Sequence, residues 1–451
     1  MIQTVYVKNI QELAGEVRKP EPVFFIGAKT STVIPYTKEE ALAELGAKRI
    51  IDLSRLEKKI ERITHNGEVY LRVSGAVTWA DLREYCKSNN FLMLTSPTEE
   101  NALVLSGLAT SATGERCFGF GTLRDQVYAL RYLDGNGELH DLHSESPMSE
   151  LLSDVDESIF AGYQEQFNKS FEGFKNGPYP RLQNETDLLI GTEGQLGVIV
   201  EADLLVKPRF PRSFIFIELA RWEEDDQVHI ELMNWAQDKR SKIVSFELID
   251  SNSLKVLPKN EMPISSTESD LLFLEVDEQN VESLFGEITQ SVKGVEAEKV
   301  FLMDETKCHQ LRMAIPRYTF ERNSQMGVLK KGTDVQVSPD SFKELLALYR
   351  DFSKKGIDYN LFGHFGDCHL HFNFFPNPDQ QDFCDSLFDE FYKEIKNING
   401  SPFAEHGIGL FKQKFIKQFY GETQINMFKS LKKKYDPENK FFPGGFMSIR
   451  L

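Results

Sequence analysis

Apolar and polar positions alternate over short runs in the first third of the chain. TVYVKN, PVFFIG, RIIDLS and VYLRVSG each read as a strand bounded by turn residues. Between them IQELAGEV and KEEALAELG carry helical spacing, and so does TWADLREYCKSN. In the last of these Thr78 is placed to N-cap a helix with Asp81 three residues on. VYALRYLDGNGELHDL predicts a hairpin, with Asp134-Gly135-Asn136-Gly137 supplying the turn. From about residue 143 to 184 the pattern is polar, aromatic and irregular, which predicts a long loop or insertion. DLLIGTEGQLGVIVEADLLVKP then reads as strand, glycine-punctuated bend and strand.

Beyond Pro208 and Pro211 a new pattern starts. SFIFIELA, KIVSFELID and LLFLEVD are strands, while DDQVHIELMNWAQDKR and ESLFGEITQSV are helices. In VSPDSFKELLALYRDFSKKG, Ser338 is the expected N-cap and Pro339 the first helical residue; Phe342, Leu345, Leu346, Tyr349 and Phe352 give one apolar face. Interleaved strands and helices predict a sheet covered by helices on one face. The last fifty residues are helical and end in a Pro/Gly stop, YDPENKFFPGGFM. The fold class expected is α+β.

Composition narrows the function. With 451 residues and 41% hydrophobic content the chain can bury more than one core. A net charge of −17 argues against broad contact with nucleic acid or anionic membrane. Five cysteines, none in a C-x-x-C pair, exclude a cysteine-ligated iron–sulfur cluster or zinc ribbon and fit a reducing compartment. No signal-peptide run and no stretch of ~20 apolar residues is present, so a cytoplasmic location is the expectation.

Candidate chemistry sits in three glycine- and hydroxyl-rich stretches and one cluster of histidines. FGFGTLRD lacks the third glycine of a dinucleotide fingerprint, and there is no phosphate loop of the G-x-x-x-x-G-K type. GAKTST (27–32), SGLATSATGERCFGFG (106–121) and GTEGQLG (191–197) each read singly as a turn or close packing. Together they suit one long phosphate-bearing cofactor held on backbone N–H groups. GHFGDCHLHFN places His364, His369 and His371 within eight residues. On a regular strand His369 and His371 share a face, and His364 joins them only if Gly366-Asp367 bends the chain. AEHGIG adds Glu405 and His406. Two imidazoles and a carboxylate would suit Zn²⁺ or Mn²⁺; solvent-facing His369 and Asp367 with one core histidine is the alternative. Arg312, Arg317, Lys330 and Lys331 are cations able to clamp a carboxylate.

Four motifs in order resemble one family. NETDLLIGTEGQLGVI, GHFGDCHLHFN, AEHGIG and DPENKFFPGG are similar to the "GSEGTLGII", "GHxGDGNLHxN", "EHGIG" and "DPxxxxNPGK" patterns of the FAD-linked oxidoreductases of the vanillyl-alcohol-oxidase superfamily. The branch resembled holds the D-2-hydroxyacid dehydrogenases: D-lactate dehydrogenase, D-2-hydroxyglutarate dehydrogenase and the glycolate oxidase D-subunit. The resemblance implies a two-domain FAD-binding fold of the PCMH type with an α/β cap domain, an antiparallel sheet covered by helices. Residues 1–207 would form the FAD-binding domain and 208–399 the cap, with 400–451 returning to the first. Noncovalent FAD would be held by Gly27, Ala28, Lys29, Thr30, Ser31, Thr32, Pro97, Thr98, Ser106, Gly107, Ala109, Thr110, Ser111, Thr113, Gly114, Glu193, Gly194, Gly197, Val198 and Asn373. His364, His371 and Glu405 would bind a divalent metal, Zn or Mn; His369 stands where the pattern has Asn and would be a bystander. Cys368 stands where the pattern has glycine, and Phe442 where it has Asn.

The implied reaction oxidises a D-2-hydroxy acid of lactate, glycolate or 2-hydroxyglutarate type to the 2-oxo acid. Hydride would pass to flavin N5, with His406 as base and Arg312 and Lys330 holding the substrate carboxylate. The implied electron acceptor is a quinone, a cytochrome or an electron-transfer flavoprotein. Peripheral membrane contact and a homodimer stay open. A metal-free flavin oxidoreductase of another alcohol, or a weakly active flavin-binding subunit of a larger complex, are the alternatives.

Overall fold

The structure is a computed structural model that describes residues 2–34, 39–44, 46–170, 173–175 and 181–448. The chain divides into two units. The first comprises Met1–Thr113, Thr122–Arg209 and Glu405–Leu451, and the second Gly114–Gly121 and Phe210–Ala404. Against the expected cuts at 207/208 and 399/400, the short stretch 114–121 groups with the second unit, and Gly114 goes with it.

In the first unit the apolar runs form two sheets. Strands β1 (Gln3–Tyr6), β2 (Val23–Ile26) and β3 (Arg49–Asp52) make a parallel sheet in the order β1-β3-β2. The helix Ile10–Val17 crosses between β1 and β2; Asn9 caps it by accepting from Glu12 N–H at 2.9 Å. Its buried Leu13 and Val17 join Val23, Ile51, Leu133, Val198 and Phe441 in one core. The second sheet is antiparallel and runs β4-β5-β9-β7-β8: β4 (Lys59–His65), β5 (Glu68–Ser74), β9 (Val198–Pro208), β7 (Val127–Leu133) and β8 (Leu139–His143). β6 (Phe91–Met93) also pairs with β9. The expected hairpin is β7–β8, and the expected capping box closes the helix Trp79–Ser88, with Thr78 and Asp81 each accepting from the other's backbone N–H.

Two readings of this unit need correction. Residues 143–184 are not a plain loop, because Met148–Leu151 and Glu157–Ser170 are helical. Tyr163 and Phe167, four apart, are both buried and form a helical apolar face that the surrounding polar residues conceal in the sequence. The rest of that reading, at 171–172 and 176–180, lies outside the described residues, as do positions 38 and 45 of the KEEALAELG helix. DLLIG is not a strand. Asn184 and Asp187 close a capping box around a single 3₁₀ turn, Glu185–Leu188, and only Val198 onward is extended.

The second unit is built on one antiparallel sheet in the order β13-β10-β12-β11-β16-β17-β14. Its strands are β10 (Arg212–Ala220), β11 (Ile243–Ile249), β12 (Ser269–Asp277), β13 (Val300–Met303), β14 (Lys331–Gly332), β16 (Asp358–His364) and β17 (His369–Phe375), with β15 (Val335–Gln336) also on β17. Helices cover both faces rather than one. On one face the helix Phe342–Ser353 buries its predicted apolar stripe, and Tyr349 stacks on Phe372 and Phe391. On the other face Leu311, Ala314 and Ile315 of the helix Glu305–Met326 pack on Phe214, Phe216, Leu271 and Phe273. Ser338 does not cap through its side chain; Pro339 opens a 3₁₀ turn and the α-helix begins at Phe342.

Register decides what shares that second face. Phe214 pairs with Glu275, Glu247 with Phe273, Ile249 with both Leu271 and Phe362, and Phe362 with His371. With a side-chain period of two, Arg212, Glu247, Glu275, His364, His369, His371 and Asn373 therefore all project from the face that carries the helix Glu305–Met326.

Candidate active site

The stretches 27–32 and 191–197 and the 106–113 part of the third converge within the first unit. Gly27 follows β2 directly, and a Cβ there would lie 2.6 Å from Ser106 Oγ and 3.0 Å from Leu103 Cδ1. Glycine is what allows the 27–32 turn to seat on the helix Val104–Thr110. From the other side Gly191 N–H donates to Leu108 O at 2.9 Å and Glu193 N–H to Ala109 O at 2.7 Å, docking the GTEG loop on the same helix. Ala28, Thr30, Ser31, Ser106, Ala109 and Thr110 stay partly exposed, while Gly107, Ser111, Gly197 and Val198 are buried beneath them. Small side chains, hydroxyls and accessible backbone at this seat fit a cofactor carrying a pyrophosphate. Lys29 and Thr32 are exposed at its edge, and Pro97 and Thr98 lie at the end of the β6 segment.

A buried cation supports the seat. Arg124 donates from Nε to Ser111 Oγ at 3.0 Å and from Nη1 to Asp187 at 2.9 Å. Ser111 is the left-handed C-cap of the Val104–Thr110 helix, with φ 53°. Asp187 also accepts from Arg181 and from Gln183 N–H. Burial alone would raise the Asp187 carboxyl, but Arg181 and Arg124 outweigh it and hold it below the usual carboxylate range. Neither Arg124 nor Asp187 was singled out from the sequence, since an arginine and an aspartate 63 positions apart give no local signal.

Glu193 also ties two loops of this unit together. Its carboxylate accepts from Ile408 N–H at 2.6 Å and from Gly409 N–H at 3.0 Å, strapping the EHGIG loop to the GTEG loop. Burial pushes its carboxyl up to about 7, against the pull of those backbone donors. In the same unit Glu405 accepts from Thr113 Oγ1 at 2.8 Å, and His406 Nε2 lies 3.6 Å from Glu405 Oε1. Gly194 is partly exposed at φ 73°, and a Cβ there would lie 3.5 Å from Phe25 Cδ2.

The histidines lie in the second unit. β16 turns into β17 through a 3₁₀ turn at Phe365–Asp367, so His364 pairs directly with His369 and comes onto the face of His371. The bend at Gly366-Asp367 is thus the one that the three-histidine reading required. A Cβ on Gly366 would meet the Phe118 ring at 2.7 Å. Cys368 closes the turn at φ 53°, and Phe442 sits at φ 44°; both positions where the family pattern has Gly or Asn are left-handed here. His364 Nδ1 is 2.9 Å from Glu247 Oε1, and His371 Nδ1 is 3.2 Å from Thr333 O. These contacts orient both rings through Nδ1, so that Nε2 is the nitrogen of each ring that could hold an ion. His369 is fully buried, 3.2 Å from Asp334 Oδ1, and Asp367 is buried too, so neither faces solvent.

Arg312 rides on the helix Glu305–Met326, which Asp304 caps by accepting from Lys307 N–H. Its Nη1 donates to Glu115 Oε1 at 2.7 Å. Asn373 is buried and donates to Asn360 Oδ1 at 3.0 Å. Lys330 and Arg317 are exposed, and Lys331 pairs with Asp385 at 2.7 Å. Glu115, Glu247 and Asp334 escaped the sequence reading. The run KIVSFELID did hold a signal for one of them, since Ser245 and Glu247 occupy alternate positions in an otherwise apolar strand and so mark a polar face.

Comparisons with known proteins give the family and the fold. Residues 3–143 match the family model of an FAD binding domain, and residues 229–445 match that of the C-terminal domain of FAD linked oxidases. The chain belongs to the FAD-linked oxidases. This FAD-linked oxidase is similar to D-lactate dehydrogenase [cytochrome] of Kluyveromyces lactis, 21% identical over 89% of this chain and 66% of that protein. It is also similar to D-lactate dehydrogenase of Anaerostipes hadrus, 24% identical over 94% of this chain and 84% of the relative. D-2-hydroxyglutarate dehydrogenase of Stutzerimonas stutzeri is 24% identical over 82% and 75%. The chain spans just under two thirds of the first of these relatives. Among solved structures, p-cresol methylhydroxylase with substrate bound superposes with a TM-score of 0.70 at 15% identity, covering 99% of this chain and 88% of that one. Alkyldihydroxyacetonephosphate synthase gives 0.67 at 12%, covering 98% and 75%. These likenesses establish the PCMH-type α+β fold. Among the described residues no helix is long and apolar enough to cross a membrane.

Proposed function

We propose that this FAD-linked oxidase is a dehydrogenase of D-2-hydroxy acids, of lactate, glycolate or 2-hydroxyglutarate type. The observation that carries the reading is the β16–β17 hairpin: two imidazoles on one sheet face, each ring fixed through Nδ1, in a chain whose relatives are named D-lactate and D-2-hydroxyglutarate dehydrogenases. FAD is held along 27–32, 97–98, 106–114 and 191–198, with Asn373 near the flavin. His364, His371 and Glu405 are the ligands of a divalent ion, a donor set suited to Zn²⁺ or Mn²⁺.

Bound flavin supplies a two-electron acceptor, and a bound divalent ion supplies Lewis acidity. The chain's own groups do the rest. His406, as neutral imidazole, takes the proton of the substrate hydroxyl. Arg312 orients the substrate carboxylate, assisted by Lys330. Thr113 holds Glu405 in place through the 2.8 Å hydrogen bond. Reducing equivalents leave to a quinone, a cytochrome or an electron-transfer flavoprotein, in a cytoplasmic or other reducing setting.

Anaerobic mixing of the yellow holoprotein with a panel of D- and L-2-hydroxy acids, with and without chelator, tests the reading. Bleaching by a D-acid that chelator blocks supports all of it. Bleaching unaffected by chelator removes the metal, and no bleaching by any hydroxy acid removes the substrate class.

A further inference from the structure

The face that carries His364 also carries a buried set of opposed charges. Glu115 is 4% exposed, Glu247 6% and Glu275 1%. Three guanidiniums stand among them, Arg116, Arg212 and Arg312, and Glu305 also accepts from Arg212. Glu275 takes two of the guanidiniums. Arg116 donates to it through Nε at 3.0 Å and Nη2 at 3.1 Å, and Arg212 donates through Nη1. Glu247 faces His364. Arg312 has Glu115 as its hydrogen-bond partner, and the contact uses a single donor, Nη1.

The charge around Arg312 bears on how it binds an anion. A substrate carboxylate recognised by Arg gains from an unopposed positive charge as well as from two parallel N–H donors. Here one donor is taken by a carboxylate of the chain itself, and the three buried acids together with Glu305 outnumber the three guanidiniums. The cost is visible in Glu115: burial pushes its carboxyl up against the pull of Arg312, and neighbouring Glu275 and Glu247 push the same way. A carboxylate kept in such company is a competitor for Arg312 that never dissociates.

We propose that Glu115 is a specificity-determining residue, an internal counter-ion on Arg312 that weakens the binding of small carboxylate substrates and whose neutralisation opens the site to them. The inference rests on the reading of Arg312 as the group that holds the substrate carboxylate. Glu115→Gln keeps an oxygen acceptor for Nη1 and removes the charge, while Glu115→Ser removes the contact as well. As holoproteins, both variants are expected to lower KM for D-2-hydroxy acids at least tenfold with kcat changed less than threefold. Both are also expected to bind oxalate, used as a nonreacting probe in calorimetry, at least tenfold more tightly. In an Arg312→Met background the gain disappears.

An unchanged or weaker oxalate affinity in Glu115→Gln, in a variant whose melting temperature matches the parent, overturns the inference. So does a gain that survives Arg312→Met, or a pattern in which Gln is neutral and Ser harmful, which marks Glu115 as a strut. Tighter oxalate binding without flavin bleaching by any hydroxy acid keeps the inference and removes the substrate class instead.

Discussion

Asp187 gives the sharpest test of how the cofactor seat is held. It is fully buried and carries Arg124 and Arg181, and Arg124 in turn holds Ser111 at the left-handed end of the Val104–Thr110 helix. Changing Asp187 to Ala leaves the buried Arg124 guanidinium without its counter-ion and frees the Gln183 N–H that the carboxylate satisfies. Removal of one partner from a buried pair costs about 3–5 kcal/mol. In a unit of this size each kcal/mol shifts the melting temperature by about 2–4 °C, so the drop should be roughly 6 to 20 °C. Asp187→Asn, which keeps an acceptor but no charge, should fall between. The sign with pH also follows. The folded carboxyl lies below its unfolded value, so its contribution is present above the unfolded value and is lost as pH falls through the folded one. The gap between parent and Asp187→Asn should therefore close on acidification below about pH 3.8. Differential scanning fluorimetry at pH 7 and under acid conditions, with flavin absorbance followed in parallel, measures both. An Asp187→Ala protein melting within 2 °C of the parent at pH 7 would refute the account of Arg124 as a buried charge that depends on this partner.

Glu193 should behave in the opposite sense: its folded carboxyl is raised to about 7, so stability should decline as pH rises from about 4.5 to 7. Because the side chain is partly exposed, the effect should be about 1–3 kcal/mol, and Glu193→Gln should flatten the melting profile over that range. Gly27→Val forces a branched side chain onto Ser106 and Leu103, so flavin retention, read as the 450-to-280 nm absorbance ratio, should collapse; Ser106→Ala in the same protein should restore part of it. His406→Asn removes the proposed proton acceptor and should lower turnover about 10²- to 10⁴-fold with flavin retained. Release of flavin by that substitution would mark His406 as structural.

Much was legible because local chemistry states it locally. Thr78 with Asp81, the Asp-Gly-Asn-Gly turn, the Phe342–Phe352 stripe and the alternating strands of both units each follow from spacing within one element. The four motifs likewise announced an FAD-linked fold before any contact was known. What spacing could not give was register and partner. Whether His364 joins His369 and His371 turns on one tight bend, and an antiparallel pairing shifted by one residue would have sent it to the opposite face. The same register puts Glu275 beside Arg212 and Glu247 beside His364, and only the second unit's packing brings Glu115 across 197 positions to Arg312. Asp187 finds Arg124, and Glu193 finds the backbone of Ile408 and Gly409, for the same reason. A hydrophobic pattern fixes which side of an element is buried; which charge a buried charge must meet is a property of the folded chain, because its partner is chosen by proximity in space and not along the sequence.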